Sequence, residues 1–180
     1  MPPTGLGPGA DADGATQPPA RFVRLGVDVG DVRVGLARSD LDGLLATPVE
    51  TLPREEAVAA VVSSARELEA RAIMVGLPRS LSGQEGPAAA KARAFATDLQ
   101  AALLSQDVEA EIRFVDERLT TVTAHQALHR SGRKGRRHRT VVDQVAAVMI
   151  LQQALDLERS TGRAPGELLE ADTDVEGDDA

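Results

Sequence analysis

The stretch from Arg24 to Ser39, RLGVDVGDVRVGLARS, constrains the fold of this chain more than any other, because it writes two strands and the turn between them. Val23, Leu25, Val27 and Val29 alternate as one strand face, while Gly26, Asp28 and Gly30 share the opposite face. The Gly30–Asp31 turn leads into a second strand, Arg33 to Ser39, with Val34 and Leu36 on one face, a spacing that suits a hairpin. Within this hairpin Asp28 is out of place, a carboxylate flanked on its own face by two glycines. Glycine weakens a strand and is kept where a backbone or a ligand must come close. The pattern therefore suggests a charge held open to something bulky; the alternative is a loop acid at a strand end before a turn.

The rest of the chain continues in an α/β alternation. Leu44 to Leu52 reads as a third strand, with Pro48 pointing to an edge position or a bulge. Pro53 opens a helix to about Ala70, with Ala57, Val58, Val61, Val62, Ala65 and Leu68 on one face. Ala72 to Val75 is a short apolar strand, followed by a loop through Gly86 that carries Ser80, Ser82 and Gly83. That loop lacks the Lys-Ser/Thr ending of a Walker loop; it is either a plain strand-to-helix connection, the favoured reading, or a cradle whose amides hold a phosphate. Pro87 starts a second helix, Glu111 to Val115 is a fifth strand, Thr121 to His129 a third helix, and Val141 to Leu157 the last. The order fits a mixed five-stranded sheet, an antiparallel three-strand meander plus parallel strands, with helices on both faces.

Charge bears on the partner. The net charge of -8 looks hostile to a polyanion, yet nine of the 28 acids lie in 1–20 and 164–180. That leaves 19 acids against 20 Lys and Arg in between, so the low isoelectric point describes the tails. Residues 1–20 are rich in Pro, Gly and Ala and are expected to be a disordered tail; 21–160 form one domain, and 161–180 a disordered acidic tail. With three Phe and neither Trp nor Tyr, a nucleic acid would be held by charge and backbone rather than by stacking. The absence of cysteine excludes thiol catalysis and thiolate metal sites. No run reaches the length of a membrane span, so a soluble, cytoplasmic protein is expected.

Three acids stand apart from the surface charge: Asp28 on the first strand, Glu117 just past the fifth, and Asp143 in the first turn of the last helix. Joint ionisation of three neighbouring carboxylates is costly unless cations neutralise them. An all-oxygen set suits magnesium or manganese. Taken singly, each acid has a plainer reading: Asp143 as a helix cap after Thr140, Glu117 as a surface partner of Arg118. A basic loop, Arg130, Arg133, Lys134, Arg136, Arg137 and Arg139 interleaved with Gly132 and Gly135, lies immediately before Asp143. Such a loop is either a solvated charge run or a salt-sensitive phosphate-binding surface.

Four segments occur together in the order and spacing of one family: GVDVGDVRVGLARSD (26–40), VGLPRSLSGQEGPAA (75–89), VDERLTT (115–121) and VVDQVAAVMILQ (141–152). From about 22 to 156 the chain resembles the YqgF/RuvX family, whose proteins are called pre-16S ribosomal RNA nucleases or Holliday junction resolvases and have a ribonuclease H-like fold. The resemblance implies that Asp28, Glu117 and Asp143 are the catalytic, metal-binding acids. The activity implied is two-metal phosphodiester hydrolysis with magnesium or manganese. Arg118, Arg133, Lys134, Arg136 and Arg137 would hold the phosphate backbone. Where the family often has a small residue and a Lys after the first glycine, this chain has Asp31 and Val32, which leaves Arg33 for a phosphate contact.

The implied substrate is structured RNA, with the ribosomal small-subunit precursor as the favoured case in ribosome biogenesis, or branched DNA. Junction resolution needs two matched cuts and so a two-fold homodimer; a monomer fits RNA processing. The other classes are a nucleic-acid-binding module without activity, which retention of all three acids disfavours, and an actin-like ATPase, which needs two such domains and more than 180 residues.

Overall fold

The opening hairpin folds as its alternation requires. β1 (Arg24–Val29) and β2 (Arg33–Ser39) pair antiparallel, and the Gly30 amide donates to the Arg33 carbonyl at 2.9 Å to close the turn. A side chain at Gly30 would meet that same carbonyl, so the turn admits only glycine without adjustment. The computed structural model describes residues 20–119 and 136–171, without the side chains of 119 and 136–142. β3 (Ala46–Pro53) adds antiparallel to β2, with its register slipping at Leu36/Ala37 opposite Pro48. Pro48 thus sits on an edge strand and at a bulge, where a missing amide donor is tolerated.

α1 (Arg54–Glu67) crosses over to β4 (Ala72–Leu77), which lies parallel to β1. α2 (Pro87–Ser105) leads to β5 (Glu111–Asp116), parallel to β4, and a single helical turn at Glu117–Leu119 follows. α3 (Arg136–Thr161) then crosses the other face of the sheet. The strand order is β3-β2-β1-β4-β5-β6, a mixed sheet with helices on both faces. The helix expected at Thr121–His129 lies outside the described residues, as do Arg130, Arg133 and Lys134.

Four expectations are corrected. The sheet has six strands rather than five, because β6 (Glu167–Leu168) pairs antiparallel with β5. Residues 161–171, read as the start of a disordered acidic tail, therefore belong to the fold; a two-residue strand leaves no alternation to find in a sequence. α3 begins at Arg136, so Arg136, Arg137 and Arg139 lie on a helix and not in a loop. Asp143 stands two turns inside that helix rather than at its first turn, which removes the capping reading: the orphan amides that a cap satisfies belong to the first turn. Arg, Lys and His are compatible with helix, so the basic run could be read either way from composition.

The two faces are packed differently. Leu25, Val27, Val34, Leu36, Ile73, Val75, Ile112 and Phe114 form a bulky core with α1 and α2. Against α3 the strands present Ala37, Ala46, Ala72, Met74 and Val115, together with Gly26, Gly35 and Gly76. The far end of α3 is pinned by Arg24, only 3% exposed, whose Nε and Nη2 both donate to Glu158 at 2.8 Å. No helix among the described residues is long and apolar enough to cross a membrane.

Candidate active site

The small residues under α3 decide where the acids meet. Asp28 pairs directly across from Gly35 of β2, so the two share a face. On its other side β4 pairs Val27 with Val75, which brings Gly76 alongside Asp28. Gly35, Asp28 and Gly76 thus form a row across three adjacent strands. A Cβ on Gly35 would overlap the backbone carbonyl of Asp143, and a Cβ on Gly76 would overlap the Glu117 carboxylate and stand 2.5 Å from Ile150 Cδ1. Each glycine is a seat, one for the α3 backbone at Asp143 and the other for the Glu117 side chain. Asp28 lies between them.

Strands sit about 4.8 Å apart, so Glu117 and Asp143 approach Asp28 from opposite sides. The electrostatics agree. Burial, and then the Asp143 carboxylate, push Asp28 up from 3.8 to about 6. Burial pushes Glu117 up from 4.5 to about 7, with Asp28 and then Asp116 adding to the rise. Asp143 is raised by burial against a lowering pull from Arg33. Among the described residues no group of three His, Asp or Glu side chains stands close enough to hold one ion together. The arrangement is two pairs sharing Asp28.

This set fits a hard divalent cation. All donors are carboxylate oxygens, and Mg2+ binds through one or two carboxylates while keeping several waters.

The glycine next to Asp28 has a different role from the one its pattern suggests. Gly26 is closed over by Leu151 Cβ, 2.6 Å from where a Cβ would stand, and by the Ala147 carbonyl at 2.8 Å. It admits a helix, not a ligand. Arg33 lies beside Asp143, and its Nη1 is enclosed with no hydrogen-bond partner among the described residues. Arg118 pairs with Asp116 rather than Glu117, through Nε at 2.8 Å and Nη2 at 2.5 Å. Arg136 and Arg137 fall in the first turn of α3. Asp116 is the acid that sequence reasoning passed over; its place at the last position of β5, one residue before Glu117, was the available signal. Lys91 on α2 pairs with Asp31, which ties the β1–β2 turn to that helix.

A mixed sheet in the order β3-β2-β1-β4-β5-β6, with Asp28 on a central strand and a long helix closing that face, defines a ribonuclease H-like fold. The same fold is seen in Thermus thermophilus RuvC solved with a Holliday junction, 17% identical, TM-score 0.50, covering 82% of this chain and 99% of that one. The family model for RuvX, described as Holliday junction resolvase, matches residues 22–157, and this chain belongs to that family. A relative from Nocardioides sp. is 53% identical over 82% of this chain and 96% of its own length; one from Streptomyces avermitilis is 52% identical over 82% and 94%. Both are named as candidate pre-16S rRNA nucleases.

Proposed function

We infer that the chain is a divalent-metal-dependent nuclease that hydrolyses phosphodiester bonds, with 5′-end maturation of pre-16S ribosomal RNA as its reaction. The observation that carries this reading is Asp28 between the α3 backbone at Asp143, seated over Gly35, and the Glu117 carboxylate, seated over Gly76. Relatives at about 50% identity support the RNA substrate through their names. Asp28 would be shared by two cation positions, Glu117 completing one and Asp143 the other, with Mg2+ or Mn2+ as the ions. Cations there would supply an activated water and charge stabilisation for the leaving oxygen.

The chain's own groups supply the rest. The raised carboxyls Asp28 and Glu117 are protonated in part near neutrality in the metal-free state, so cation binding releases protons and weakens as pH falls. The missing side chain at Gly76 leaves the space that the Glu117 carboxylate occupies beside the strand. Arg33 beside Asp143 would meet a phosphate oxygen, and Arg118, Arg133, Lys134, Arg136 and Arg137 would attach the backbone. That attachment should be steeply salt-dependent.

The description of the RuvX family favours a second reading, resolution of four-way DNA junctions. Labelled pre-16S leader RNA and a four-way junction, incubated side by side with Mg2+, Mn2+ or chelator, separate the two. The account expects metal-dependent cleavage of the RNA; cleavage of the junction alone selects the second reading, and cleavage of neither removes both.

A further inference from the structure

The chain does not stop at α3. Past Thr161, just beyond the end of the family match at 157, it turns back and runs along the outer edge of β5. Gly166 takes φ 72°, and a Cβ there would overlap the Phe114 carbonyl, so the strap has a fitted crossing point. The Leu169 amide donates to the Ile112 carbonyl at 2.9 Å, and Gln100 Nε2 donates to the Leu169 carbonyl at 3.3 Å. Buried Pro165 accepts from Arg113 Nη1 at 3.3 Å.

From this strap Glu167 reaches across to two arginines. Arg93 Nη1 donates to it at 3.1 Å and Arg79 Nη2 at 3.3 Å. The same two arginines hold Glu85, Arg93 through Nε at 2.8 Å and Nη2 at 2.6 Å, and Arg79 through Nη2 at 3.3 Å. The Arg93 guanidinium also lies over the Phe114 ring, 4.6 Å from its centroid. Single exposed ion pairs stabilise little, but a closed network of four charges fixes geometry.

What this ring closes is a loop. Arg79 stands at the start of residues 78–86 and Glu85 at the end. Inside, the Ser80 amide donates to the Gln84 carbonyl at 2.9 Å, the Gly83 amide to the Ser80 carbonyl at 2.8 Å, and the two hydroxyls of Ser80 and Ser82 bond at 2.8 Å. The loop leaves β4 just after Gly76, the seat of Glu117, and Gly83 stands beside Arg118. At its tip Leu81 is 98% exposed. The three phenylalanines are packed into the fold, so Leu81 offers the apolar surface for a base that aromatic side chains supply elsewhere.

We propose that Glu167 is a positioning residue. Through Arg79 and Arg93 the C-terminal strap holds the 78–86 loop at the rim of the carboxylate site, and the loop tip, Ser80 to Ser82, is a second contact for the substrate strand. The contact rests on the nuclease reading; the holding of the loop does not.

Two measurements on the full chain test these halves separately. In the first, trypsin cleavage after Arg79, followed by mass spectrometry without substrate, should quicken by about threefold in Glu167→Gln and less in Glu167→Asp, with Tm unchanged. An unchanged cleavage rate overturns the strap. In the second, with labelled pre-16S leader RNA, Glu167→Gln and Leu81→Ser should each raise KM by about fivefold with kcat within about twofold of wild type. An unchanged KM in both overturns the loop contact. A wild-type chain that neither binds nor cuts the RNA or a four-way junction overturns the nuclease reading and the contact with it, while the trypsin result still judges the strap.

Discussion

Toward α1 and α2 the sheet presents Leu25, Val27, Leu36, Ile73 and Phe114, and toward α3 it presents Gly26, Gly35, Ala37, Ala72 and Gly76. The first face is filled by side chains from both layers, as most sheet–helix cores are. On the second the strands give up volume and the helix backbone fills the space instead. Bulky packing holds elements together at side-chain distance, whereas glycine seats let a helix carbonyl and a carboxylate settle against the sheet itself. The stability of the domain comes mainly from the first face, and the convergence of the acids from the second.

That division can be broken by substitution. The largest stability loss is expected on the bulky face: Phe95→Ala should cost about 3–5 kcal/mol while sparing the carboxylate geometry, read as a chemical-denaturation midpoint shift with cleavage retained below the transition. Gly35→Ala should cost about 3 kcal/mol by overpacking, and cleavage should fall with it because α3 is lifted at Asp143. If Gly35→Ala loses stability but keeps full activity, the seat is only a packing feature.

A pH series sharpens the comparison further. Native Asp28 and Glu117 hold protons up to about pH 6 and 7, which the unfolded chain releases near 3.8 and 4.5. The native state therefore binds more protons in that window, and these two groups lower stability as pH rises through it. In metal-free protein, Asp28→Asn should match wild type near pH 4 and exceed it on the order of 2 kcal/mol at pH 8. The smallest stability effect belongs to Gly76→Ala, about 1–2 kcal/mol. Its cleavage should nonetheless drop about a hundredfold, because Glu117 is displaced by a fraction of a side-chain width.

The bulky face was legible in the sequence and the glycine face only in part. Alternation gave β1, β2 and their turn, and helical spacing gave α1 and α2, because each of these patterns is local. The pairing of Asp28 with Gly35 and its adjacency to Gly76 depend on register between strands, which no single segment records. Gly26 shows the cost of reading one segment alone: its pattern suggests an approach for a ligand, and Leu151, far along the chain, fills that space. β6 escaped because two residues carry no period, and the start of α3 because a run of arginines is consistent with loop and helix alike. Glu117 and Asp143 stand out in the sequence by their positions at a strand end and on the last helix, and the family resemblance adds their role. What the sequence did not contain was their separation on opposite sides of Asp28.

The most direct test follows from Asp28's place between them. Single-turnover cleavage of pre-16S leader RNA with Mg2+ should fall by about a thousandfold or more in Asp28→Asn, while RNA affinity is kept and metal-free stability at pH 8 rises. Cleavage by Asp28→Asn within a few-fold of wild type would contradict the account.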